Sequence, residues 1–90
     1  MAKILVVDDE PNYLVVLSEL LKDEGFEVFT AASGEEGLGI VADVDLDMVI
    51  TDMQMPGMNG VEFLDKIKEK LPDLPVLIIT AFAEIDKAVE

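Results

Sequence analysis

Ninety residues, 51% of them hydrophobic, are enough for one layered domain around one core and too few for a second independently folding unit. The net charge of −14, from 20 acids against six lysines with no arginine or histidine, excludes the basic stripe that a nucleic-acid backbone requires. With no histidine and no cysteine there is no imidazole base, zinc ligand, thiol nucleophile or disulfide, so any chemistry falls to carboxylates, hydroxyls, lysines, backbone groups or a borrowed metal. Apolar runs such as "ILVV" and "VLII" fall far short of the roughly 20 residues that span a bilayer, and the N-terminus lacks a signal-peptide pattern, so a cytoplasmic location with no membrane contact is expected.

"KILVV" (Lys3 to Val7) is a short, continuous apolar run rich in β-branched residues and predicts a strand buried on both faces. Pro11 and Asn12 open a helix with Tyr13, Leu14, Leu17, Leu20 and Leu21 at helical spacing, and Lys22 and Gly25 close it. "EVFTA" (Glu27 to Ala31) predicts a second strand. Ser33 followed by Glu36 predicts a capping box for a second helix, in which Gly37 and Gly39 each cost about 1 kcal/mol relative to alanine. "DMVIT" (Asp47 to Thr51) predicts a third strand. Beyond the loop "DMQMPGMNG", a third helix is marked by Val61, Leu64, Ile67, Lys68 and Leu71 and stopped by Pro72. "PVLIIT" (Pro75 to Thr80) predicts a fourth strand, and "AEIDKAVE" begins a fourth helix. Alternating apolar strands and helices predict an α/β fold: a parallel sheet covered on both faces, in one of the few doubly wound orders that right-handed crossovers allow.

Polar groups gather where the strands end: Asp8 and Asp9 after the first, Asp52 after the third, Thr80 after the fourth. In open α/β sheets ligands bind at that edge, at the topological switch point; in the order 2-1-3-4 this lies between strands one and three, the strands that deliver the three aspartates. At an effective dielectric near 20, two like charges about 4 Å apart repel by roughly 4 kcal/mol, so the cluster must hold a proton or recruit a cation. Oxygen ligands favour a hard metal, and Mg²⁺ suits a few carboxylates, waters and a phosphate oxygen better than Ca²⁺, for which "DDE" is no EF-hand loop. A carboxylate beside Mg²⁺ and a phosphoryl group serves as a nucleophile that forms an aspartyl phosphate, with the Thr80 hydroxyl donating to a phosphoryl oxygen. Pro56, Gly57 and Gly60 permit a tight loop that presents a main-chain carbonyl to the metal.

Taken singly these residues have ordinary readings. An aspartate at a strand end is most often a cap or turn residue, so Asp9 or Glu10 before Pro11 can simply cap the first helix. Thr80 can cap the fourth helix in the same way, and Met53, Met55 and Met58 read first as packing or loop filler. "GEEGLG" lacks the spacing of a phosphate loop.

The conjunction of "ILVVDDEP", "VITDMQMPGMNGVEFL" and "LPVLIITAFAE" resembles the receiver domain of two-component response regulators, and the resemblance covers the whole chain. It implies a flavodoxin-like doubly wound sheet of order 2-1-3-4, continued in the family by a fifth strand and fifth helix. It implies that Asp52 is the phosphoacceptor, Asp9 a direct Mg²⁺ ligand, Asp8 an acid acting largely through water, the Gln54 main-chain carbonyl a further ligand, and Thr80 the switch hydroxyl. The implied donor is a phosphohistidine on a sensor histidine kinase. The implied chemistry is that of a phosphorelay signalling receiver rather than an enzyme, with at most self-phosphorylation and autodephosphorylation. "ITAFAEIDKAVE" looks most like receivers that precede a sigma-54-type AAA+ activator, an output domain not present in these residues.

On this reading residues 1–90 are a single receiver-like domain that stops within the fourth helix, ahead of the family's fifth strand and phosphate-contacting lysine. Phosphotransfer is then expected to be impaired, and "PVLIIT" is expected to be an open edge that promotes self-association. The alternative reading is a catalytically incomplete fragment that acts as a folding or self-association module. An aspartyl-phosphate hydrolase is disfavoured because the second acid it would need at position 54 is glutamine.

Overall fold

The structure is a computed structural model that describes residues 2–79. Seven elements alternate along the chain: β1 (Lys3–Val7), α1 (Pro11–Asp23), β2 (Glu27–Ala31), α2 (Gly34–Asp43), β3 (Met48–Asp52), α3 (Gly60–Lys70) and β4 (Val76–Ile79). The strands form one parallel sheet in the order β2-β1-β3-β4, as the resemblance implied. The expected fourth helix lies outside the described residues.

β1 is central, and its side chains alternate between two cores. Leu5 and Val7 join Ala31, Val49, Met55, Phe63, Ile67 and Leu74 beneath α2 and α3, while Ile4, Val6 and Ile50 pack against Leu14, Leu17 and Leu21 of α1. Both faces of β1 are therefore covered, the reason its sequence is apolar throughout rather than alternating.

The helix ends follow local chemistry. Glu10 is the N-cap of α1, its carboxylate accepting the Asn12 N–H, so of the two acids before Pro11 it is Glu10 that caps. Past the other end, Gly25 takes φ +97°, with the Gly25 N–H donating to the Lys22 carbonyl and the Phe26 N–H to Leu21, a Schellman closure. Ser33 caps α2 by accepting the Glu36 N–H, but the Glu36 carboxylate accepts the Ala32 N–H, one residue before the position a capping box requires. The reciprocal box belongs to Asn59 and Glu62 at the start of α3.

Two predicted faces are corrected. On α1 the inward stripe is Leu14, Leu17 and Leu21, whereas Tyr13 and Leu20, one step around the helix, are exposed along with Val15 and Val16. On α3 the anchors are Phe63 and Ile67, while Val61 and Leu71 at the two ends of the predicted stripe lie outside. Among the described residues α1 turns only its Leu14, Leu17 and Leu21 side to the sheet, so the apolar pattern of α1 overstates its buried width.

Candidate functional site

Parallel pairing brings the ends of β1 and β3 side by side, with Val7 opposite Thr51 and Asp52 one residue further along. β3 runs one residue beyond its predicted end, because Asp52 still pairs with Ile79 of β4. Asp52 is consequently the last paired residue of the sheet rather than part of the loop, held by β4 on one side.

Asp8 follows β1 directly. Its N–H donates to the Ala31 carbonyl at 3.1 Å, and its Oδ1 accepts the Glu10 N–H at 2.9 Å, which turns the carboxylate back over the sheet edge. Only 7% of Asp8 is exposed, whereas Asp9 is exposed and Asp52 half-buried. One carboxylate oxygen from each of the three lies within 4.8 Å of the others. Burial pushes the Asp8 carboxyl above the ordinary carboxylate range; the Glu10 N–H opposes this, and the charges of Asp52, Asp9 and Glu10 add to it. Three all-oxygen donors of like charge, one of them disfavoured as an anion, match a hard divalent cation better than zinc or copper.

The loop after β3 is folded onto the domain rather than free. Met55 is buried in the core beneath α2 and α3, Met58 is half-buried against the first residue of α2, and Gly57 takes φ +82° between them. The packing reading of Met55 and Met58 therefore holds. Gln54 lies two residues after Asp52, exposed, and lines an open cleft of about 590 Å³ with Met53, Met55, Pro56, Asn59 and Val61. Thr80 lies outside the described residues.

Two supporting residues escaped the sequence reading. Thr51, fully buried, donates its hydroxyl to the Asp52 carbonyl at 3.0 Å and so closes a polar group that strand pairing alone leaves on the core side. Asn59 caps α3, and its signal was legible in the sequence as asparagine followed three residues on by Glu62.

Residues 4–90 match the family described as the response regulator receiver domain. Sporulation initiation phosphotransferase F of Bacillus subtilis is 40% identical over 84 residues, covering 93% of this chain and 68% of that protein. The transcriptional regulatory protein GlrR of Escherichia coli is 41% identical over 98% of this chain, which spans only 20% of that protein's length. The response regulator TrrA of Thermotoga maritima, solved in complex with Mg²⁺–BeF, superposes with a TM-score of 0.89 at 41% identity, covering 97% of this chain and 76% of TrrA. In a second structure TrrA is in complex with the histidine kinase ThkA; there the TM-score is 0.86 at 44% identity, over 91% of this chain and 71% of that one. With its fold and nearly its whole length in agreement, the chain belongs to the response regulator receiver domain family of two-component signalling.

Proposed function

We propose that Asp52 accepts a phosphoryl group from a phosphohistidine of a sensor histidine kinase. The observation that carries this is the placement of Asp52 at the carboxyl edge of β3, in reach of Asp8 and Asp9 at the switch point between β1 and β3. Asp8, Asp9, Asp52 and the Gln54 main-chain carbonyl are the groups that would hold Mg²⁺. When bound, Mg²⁺ supplies positive charge against the phosphoryl oxygens. An Asp52 carboxylate oxygen attacks phosphorus in line, the P–N bond to the donor imidazole breaks, and the imidazole departs as the neutral ring after taking up a proton. Asp8 and Asp9 supply the negative charge that selects the cation, and Thr80 supplies a hydroxyl to a phosphoryl oxygen. TrrA, with its Mg²⁺–BeF and histidine-kinase complexes, supports both the metal and the donor. GlrR supports a place within a larger transcriptional regulator. The role is that of a cytoplasmic signalling module rather than a turnover enzyme.

The test is intact-mass spectrometry after incubation with acetyl phosphate and Mg²⁺. The chain gains one phosphoryl mass and Asp52→Ala gains none; equal labelling of both, or of neither, would remove Asp52 from the role.

A second reading, self-association through β4, is favoured by one observation: among the described residues β4 is an edge strand, and its Leu77 is 47% exposed. Light scattering at rising concentration then shows a dimer that Leu77→Lys disperses. A monomer at every concentration would remove this reading.

A further inference from the structure

We infer that Gly60 is a positioning residue for Asp52, a role that rests on the phosphoacceptor and metal reading above. Its bare Cα lets the first turn of α3 rest directly on the backbone at the end of β3. A Cβ at position 60 would lie 2.6 Å from the Asp52 carbonyl oxygen and 2.8 Å from the Met53 Cα. Both are backbone atoms, and neither can swing aside as a side chain does. Gly60 does not share the positive φ of Gly25 and Gly57, so the glycine here answers a need for space rather than for conformation.

The same stretch of backbone is held from two sides. The Met53 N–H donates to the Ile79 carbonyl at 3.1 Å, and the Met53 carbonyl accepts the Gly60 N–H at 2.8 Å. Asp52 therefore sits between a rung to β4 and the start of α3. A methyl at position 60 must move one of these. α3 is anchored by Phe63 and Ile67, 0% and 1% exposed in the core, with Asn59 and Glu62 closing its first turn, whereas Asp52 is the last residue of β3 and pairs on the β4 side alone. The β3 terminus yields, and with it the Asp52 carboxylate moves relative to Asp8 and Asp9. Two other glycines define controls. A Cβ at Gly34 meets the Met58 side chain, its sulfur at 2.8 Å and its Cβ at 3.1 Å, rather than the backbone of Asp52 or Met53, and one at Gly25 meets nothing within 4 Å although its φ is strained.

The experiment is calorimetric Mg²⁺ titration of the full ninety-residue chain, with thermal melting of each metal-free variant. Gly60→Ala, folded at the titration temperature, binds Mg²⁺ about tenfold more weakly, the scale of loss when a ligand's supporting contact is removed. Gly34→Ala binds within about twofold of the parent, and Gly25→Ala melts lower yet binds unchanged, because lost stability alone does not move affinity in a folded chain. If Gly60→Ala is unfolded in buffer, trimethylamine N-oxide is added to refold it before titration. Unchanged affinity in folded Gly60→Ala overturns the positioning role alone. So does failure to fold even with the osmolyte, under conditions in which Gly25→Ala is folded, since Gly60 would then support the fold and not the site. A parent chain that binds no Mg²⁺ overturns the metal reading and this role together.

Discussion

Asp8 carries the electrostatic conflict of the site, since it is the most buried of three crowded carboxylates. Its raised pKa means the folded chain holds that proton more tightly than the unfolded chain does. Above the folded value Asp8 is ionised in both states and folding bears the full penalty; as pH falls through that value the penalty shrinks, and below the ordinary carboxylate range it is gone. Asp8→Asn keeps an oxygen for the Glu10 N–H and removes the charge. In metal-free buffer it therefore melts higher than the parent at pH 7, and the gap closes on acidification; melting curves from pH 7 to pH 3 check this. Added Mg²⁺ raises the melting temperature of the parent more than that of Asp8→Asn, because the cation binds the folded acids. At this scale Asp8, Asp9 and Asp52 were legible because the chain places acids at the ends of apolar strands. The capping role of Glu10 against Asp9, and the space required at Gly60, were not, since both depend on where the backbone returns.

Two glycines of α2 that look alike in sequence have opposite consequences. A Cβ at Gly39 meets nothing within 4 Å, so Gly39→Ala removes only the helix cost of glycine and stabilises by about 0.5–1 kcal/mol. A Cβ at Gly37 lies 2.9 Å from the Phe63 ring and 3.1 Å from a Val7 methyl, so Gly37→Ala overpacks the contact between α2, α3 and β1 and destabilises by about 1–3 kcal/mol. Urea denaturation of the two variants separates the signs. At the start of α3, Asn59→Ala deletes the acceptor for the Glu62 N–H and costs about 1 kcal/mol by the same measurement. Helices and strands were readable from period and punctuation; the inward face of α1 was not, because its apolar residues are more numerous than one sheet face covers.

Over the whole molecule, the core beneath α2 and α3 gathers side chains from all four strands and both helices around Phe63, which is fully buried. Phe63→Ala costs about 3–5 kcal/mol, a large share of the 5–15 typical of a domain, and thermal melting should show a chain that is partly unfolded at 37 °C. The sequence by itself determined the alternation of strand and helix, the parallel sheet and the acids at its carboxyl edge, since continuous apolar strands can be buried on both faces only between helices. The tertiary structure alone decided that Asp52 ends a paired strand, that three carboxylates meet within 4.8 Å, and that Gly60 lies against Asp52. These are distances between segments up to 44 residues apart in the chain, and residue type and spacing do not encode them until the sheet brings the segments together.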